Sequence, residues 1–140
     1  CGLTDANAGE FDEYSTNTVI DFMPGQNDEI DKGGTLRLGA YPCKIRPGTV
    51  LNEWYGKDLI SERHRHRYEF NNEYKELFES KGLVIGGTSP DGFIVETIEL
   101  PNLKYFVAVQ FHPEIKSRPN KPHPLFLGLI KHAFDNRKIK

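Results

Sequence analysis

The sequence predicts an α/β domain, and three observations carry that expectation. Stretches alternating apolar and polar residues with a period of two are interleaved along the chain with stretches of helical spacing. Two β-branched runs flank Ser89-Pro90-Asp91-Gly92, a turn sequence that joins them as a hairpin. One nearly continuous apolar run, Tyr105 to Phe111, reads as a central strand covered on both faces.

Taken in order, residues 1–34 are mostly loop, punctuated by Gly9, Pro24-Gly25 and Gly33-Gly34, with one β-leaning run from Thr18 to Phe22. So long a loop in a compact domain is usually functional. Residues 35–140 hold the strands and helices. Thr35 to Ile45 predicts a strand with one buried face, Leu36, Leu38 and Ala40 alternating against Arg37, Gly39 and Tyr41. Val50 to Tyr55 gives one or two helical turns, and Ile60 to Phe70 is extended. Asn71-Asn72, then Tyr74, Leu77 and Phe78 at helical spacing, then Lys81 and Gly82, mark an amphipathic helix with both ends signalled. Leu83 to Gly86 and Phe93 to Leu100 are the hairpin strands. Pro124 opens a last helix with Phe126, Leu129, Ile130, Ala133 and Phe134 on one stripe.

Composition bounds the function. A chain of 140 residues, 37% hydrophobic and 11% aromatic, is sized for one core and too apolar to stay disordered. No apolar run approaches the roughly 18 residues of a membrane span and no signal segment opens the chain, so a soluble cytoplasmic protein is expected. Cys1 and Cys43 are too few for a disulfide scaffold or a structural zinc site. The net charge of −2 divides into −7 over residues 1–32 and +5 over the rest, too small a basic excess for nucleic acid but suited to small anionic ligands. A chain that begins at Cys1 rather than Met is expected to be a processed product or a piece of something longer.

The sharpest candidate site is Phe111-His112-Pro113-Glu114, directly after the most apolar strand, where α/β sheets place their ligands. In extended backbone, residues i and i+2 point the same way, so Glu114 can hold one nitrogen of His112 and leave the other free to deprotonate a Ser or Cys. A strand-end histidine capped by a nearby acid is the other reading of this spacing. Cys43, with no tight turn into a helix behind it, reads as a buried inert thiol. Cys1 could be an N-terminal nucleophile, but the polar loop that follows it argues against that. Glu62-Arg63-His64-Arg65-His66-Arg67-Tyr68-Glu69, as a strand, places three arginines on one face and His64, His66 and Tyr68 on the other. The guanidiniums suit a carboxylate or phosphate, and their charge disfavours a metal at the two histidines. A solvated edge strand accounts for the arginines alone. Lys32-Gly33-Gly34 is not a phosphate loop, since no helix opens behind it.

Together these segments resemble the carboxy-terminal part of the CTP synthase family. The resemblance runs through Asp5-Ala-Asn-Ala-Gly-Glu10, Gly33-Gly-Thr-Leu-Arg-Leu-Gly39, Glu62 to Glu69 with Asn71-Asn72, Ser89 to Gly92 with Val95-Glu96, and Gln110 to Glu114 through Pro124-Leu-Phe126. His-Pro-Glu after a strand is shared by class I glutamine amidotransferases, whereas the Arg-His-Arg-His-Arg-Tyr-Glu segment is particular to CTP synthases. Leu36 and Ile115 stand where Met and Phe are often seen. The resemblance implies a partial class I amidotransferase fold over residues 1–140: a central, mostly parallel sheet with flanking helices and an added hairpin, lacking its N-terminal strands. It implies ATP-dependent amination of UTP to CTP, with ammonia drawn from glutamine in this domain. His112 is similar to the family's general base and Glu114 to its orienting acid, Arg67 to the residue that binds the glutamine α-carboxylate, and Glu10 to the one that receives the α-amino group. Phe22 to Gly34 resembles the lid through which GTP activates hydrolysis. No cofactor or metal is expected in this chain; ATP and Mg belong to a separate amino-terminal synthase domain, its partner in an intact homo-oligomer. The family's nucleophilic Cys lies upstream of the position matching Cys1, so a fragment carrying half of a catalytic site, inactive by itself, is expected. Two alternatives are another class I amidotransferase, which the segment from Arg63 to Glu69 counts against, and a non-catalytic module that binds anionic metabolites on the arginine face.

Overall fold

The structure, a computed structural model, describes residues 1–22 and 37–137. The elements in order are β1 (Ala6–Ala8), β2 (Asn17–Phe22), β3 (Arg37–Ile45), α1 (Val50–Tyr55), β4 (Leu59–His66), β5 (Tyr68–Phe70), a 3-10 turn (Asn72–Tyr74), α2 (Lys75–Ser80), β6 (Val84–Thr88), β7 (Val95–Glu99), β8 (Val107–Val109), α3 (Pro113–Lys116) and α4 (Pro124–Asp135). The lid resemblance at Phe22 to Gly34, the Gly33-Gly34 pair and Leu36 fall, Phe22 apart, outside the described residues.

The α/β class is as expected, but the pairing within it is not mostly parallel among the described strands. The larger sheet, in the order β4-β3-β6-β7-β8, is antiparallel throughout. In the smaller sheet, β1-β2-β5, only β1 and β2 run parallel. Connection length is the reason. Ser89 to Ile94 links β6 to β7 and Leu100 to Phe106 links β7 to β8, both too short for a parallel crossover. The hairpin turn forms as its residues dictate, with Gly92 at φ +81° and its N–H donating to Ser89 O at 2.8 Å.

Three elements expose faces that the hydrophobic pattern assigned to the interior. In β3, Arg37, Cys43 and Ile45 are buried while Leu38 is 63% exposed. Cys43 and Ile45 join the core cluster of Leu51, Ile60, Phe111 and Leu125, and the period of two then carries Arg37 inside, where carboxylates meet it. β8 lies at the end of the sheet and is half-buried rather than central. Val107 and Val109 pack on that same cluster, which accounts for their hydrophobicity without a second flanking strand. In α4, the buried residues are Leu125 and Gly128, and Phe126, Leu129, Ile130 and Phe134 are exposed. Gly128 decides this, because its missing side chain lets the helix ride against Trp54 and Tyr105.

A second apolar cluster, Phe70, Leu83, Ile85 and Val95, joins the hairpin to β5, with Phe78 of α2 packed on it. The buried residues also include charged and polar ones, among them Glu62, His64, Glu96 and Glu99. Glu99 caps α1, accepting from the Val50 and Leu51 amides at 2.9 and 2.7 Å. Its carboxylate requires Gly86 beside it, since a Cβ there would lie 3.0 Å from Glu99 Oε1.

Candidate functional site

The chain leaving β8 is held against two neighbours. The Gln110 amide donates to Glu96 O at 2.9 Å and the His112 amide to Arg63 O at 2.8 Å. His112 remains extended at φ −108°, and Pro113 then starts α3, so His112 is the helix N-cap. His112 Nδ1 and Glu114 Oε1 are 2.7 Å apart. The expected contact therefore exists, but a helix entry makes it rather than a continued strand. The bond to His112 holds the Glu114 carboxyl below the usual carboxylate range. With Nδ1 engaged by a carboxylate, Nδ1 carries the hydrogen of the neutral ring and Nε2 is left as a base.

Glu10 and Arg67 come together in one cleft of about 410 Å³, lined also by Ile20, Arg65, His66, Tyr68 and Gln110. Glu10 sits in the turn after β1, where the Phe11 and Asp12 amides both donate to Ala8 O, at 3.0 and 3.1 Å. Arg67 occupies the bend where the chain leaves β4 and enters β5, passing from one sheet to the other. His112 and Glu114 do not line this cleft. They follow Gln110, which does, and the Arg63 carbonyl that anchors His112 belongs to the strand that ends just before Arg67.

Beneath the arginine face lies a cluster whose extent the sequence did not reveal. The alternation of β4 puts Arg63 and Arg65 outward and His64 and His66 inward, as its period predicts. Arg37 reaches the cluster from β3, with Nη2 2.7 Å from Glu96 Oε1 and Nη1 3.4 Å from Glu69 Oε1. His64 Nδ1 is 2.8 Å from His66 Nε2. Burial, helped by the Arg37 charge, depresses His64 to about 3 and His66 to about 4, so both rings are neutral near pH 7. Burial pushes the Glu69 carboxyl up to about 7 and raises that of Glu96. The partners Arg37 and Glu96 come from other strands, beyond the reach of a local motif.

A second polar cluster fastens α3 and α4 to β4. Lys116 Nζ donates to Ser61 O at 2.6 Å and to Glu62 Oε1 at 2.8 Å, and the Tyr55 hydroxyl donates to Glu62 at 3.1 Å. His123 caps α4, its Nδ1 accepting from the Leu125 amide, while its Nε2 is 2.9 Å from the Tyr55 hydroxyl. Cys43 is fully buried, and burial pushes its thiol up to about 12, which makes it a poor nucleophile. Cys1 is exposed. Among the described residues, no group of three or more His, Cys, Asp or Glu is placed to hold a metal ion. No helix among them is long and apolar enough to cross a membrane.

Residues 6–132 match the family model for glutamine amidotransferase class-I. Among curated relatives, the CTP synthase of Nostoc punctiforme is 57% identical over 132 residues, which is 94% of this chain and 24% of that protein. The CTP synthase of Caldanaerobacter subterraneus subsp. tengcongensis is 59% identical over 138 residues, 99% of this chain and 26% of that protein. The chain thus spans about a quarter of the length of these relatives. Among solved structures, the glutaminase domain of Trypanosoma brucei CTPS with bound acivicin superposes with a TM-score of 0.87 at 34% identity, covering 99% of this chain and 54% of that one.

Proposed function

The chain belongs to the class I glutamine amidotransferases, and we propose that it is part of the glutamine-hydrolysing unit of a CTP synthase. The observation that carries this reading is the His112–Glu114 pair at 2.7 Å, next in the chain to a cleft that holds an acid and a guanidinium. An α-amino acid presents one carboxylate and one ammonium, and Arg67 and Glu10 are their complements. Bound so, the substrate turns its side-chain amide toward His112. His112 Nε2 takes the proton of a cysteine thiol supplied by a segment of the protein outside this chain. The thiolate attacks the amide carbon, the C–N bond breaks, and His112 returns the proton to the departing ammonia. Water then cleaves the thioester to glutamate, with His112 again as base. Glu114 holds the ring in the required tautomer and stabilises its charged form. UTP, ATP and Mg would be handled by a synthase domain beyond this chain, with GTP acting through the segment that resembles the lid.

The test is made in the full-length protein by comparing CTP formation driven by glutamine with CTP formation driven by added ammonia. In His112→Ala the first is abolished and the second is largely retained, because ammonia bypasses the hydrolysis. If both activities fall together in a folded variant, His112 is structural and the reading fails.

A further inference from the structure

Arg67 is the residue to which the proposed reading assigns the substrate carboxylate, yet no hydrogen bond or ion pair holds its guanidinium among the described residues. Its direction is therefore set by the backbone of the bend between β4 and β5. The side chain that spans this bend is His66. Its Nδ1 is 3.2 Å from Tyr68 O and 3.5 Å from Glu69 Oε1. We propose that His66 is a positioning residue for Arg67: a buried, one-directional hydrogen-bond chain from His64 through His66 to Tyr68 O fixes the His66 tautomer that clamps the bend. The proposal rests on the glutamine reading of the cleft and deepens it.

The direction of the chain follows from the heavy atoms. Both groups facing His66 Nδ1 are acceptors, so Nδ1 carries the hydrogen. A neutral ring then has an accepting Nε2, which obliges His64 Nδ1, 2.8 Å away, to donate. The chain starts at His64, because its Nε2 lies 3.5 Å from Glu96 Oε2 with no hydrogen bond between them. Reversal at any link would put two hydrogens or two lone pairs face to face. The interior thus dictates which nitrogen of His66 donates, and that donation closes the backbone over Arg67.

Two isosteres separate the nitrogens of His66. An Asn amide occupies the level of Nδ1 and can still donate to Tyr68 O, whereas a Gln amide occupies the level of Nε2 and cannot. In the full-length enzyme, His66→Gln is expected to raise the KM for glutamine by about tenfold, the effect of losing one hydrogen bond that orders a binding group. His66→Asn should stay within about threefold of wild type, and ammonia-driven turnover should be unchanged in both. Arg67→Ala serves as the reference. If it leaves the glutamine KM unaltered, the reading of the cleft and this inference fall together. If it raises KM while His66→Gln does not, only the positioning role is overturned. Should His66→Gln fail to fold, the 15N shifts of His66 in the wild-type protein decide: the Nδ1–H tautomer supports the proposal, and the Nε2–H tautomer refutes it.

Discussion

Replacing Gly128 by Ala sets two effects of opposite sign against each other. In an exposed helix interior the exchange stabilises by about 1 kcal/mol, because Ala loses less backbone freedom. The α4 surroundings oppose this. A Cβ at Gly128 would lie 2.7 Å from Tyr105 Oη, 2.8 Å from Trp54 Cε2 and 2.9 Å from Trp54 Nε1. These are parts of two packed rings rather than the ends of flexible chains, so α4 or α1 must move, at a cost of about 1–3 kcal/mol for overpacking. The Tyr105 hydroxyl also donates to Leu125 O at 2.9 Å, and displacing it forfeits about 1 kcal/mol more. The balance is a net loss of about 1–3 kcal/mol. Thermal unfolding of Gly128→Ala beside wild type, with hydrogen exchange of the α4 amides to localise the effect, reads it directly. The expected result is a melting temperature lowered by several degrees and faster exchange in α4. A raised melting temperature would refute the packing assigned to Gly128, and with it the account of why the apolar stripe of α4 faces outward.

Glu96→Gln, which keeps an acceptor for Arg37 in the buried cluster, should cost less stability than Glu96→Ala, which removes the partner 2.7 Å from Arg37 Nη2 and should lose about 3 kcal/mol; denaturant titration checks both, and equal losses would refute the weight given to that contact. Glu69 titrates at about 7 when folded against an ordinary 4.5, so the folded state binds more protons between those values. Its contribution to stability is therefore present below about pH 4.5 and fades as pH rises through 7. His64 and His66, depressed to about 3 and 4 from 6.5, have the opposite sign, and their contribution, present above pH 6.5, is lost as pH falls. Glu69→Gln should thus gain on wild type between pH 5 and 8 in parallel unfolding series, and a difference that stays constant over that range would contradict the shift.

The elements legible in the sequence were those whose signal is local. The helix after Asn71 forms with the Asn71 side chain accepting from the Glu73 amide, and the Ser89 to Gly92 turn closes its hairpin, because a few neighbouring residues fix each geometry. The His112–Glu114 contact was legible for the same reason, though the backbone that makes it is a helix entry and not a strand. The inward face of β3 was not legible. Leu38 is the more apolar residue, but Arg37 goes inside because Glu96 and Glu69, from β7 and β5, neutralise it there. Hydrophobicity summed along one strand cannot register a charge satisfied from another. The packed face of α4 was hidden likewise, since its determinant is the absence of a side chain at Gly128 opposite rings from α1 and from the segment before β8.

The segment from Glu62 to Glu69 ties these observations to function, because a strand assigns alternate residues to two different tasks. Its outward residues, Arg63, Arg65 and then Arg67, are solvated and free to meet an anion, while its inward residues, Glu62, His64 and Glu69, lie among partners from β3, β7, α1, α3 and α4. Outward substitutions should therefore act on ligand binding with little loss of stability, and inward ones on stability first. His66 is the exception that the topology creates. It ends β4, touches the buried chain through Nε2, and lines the cleft beside Arg67. At that position the interior and the cleft share one imidazole, so on the proposed reading a proton arrangement set among buried histidines is read out as the direction of Arg67.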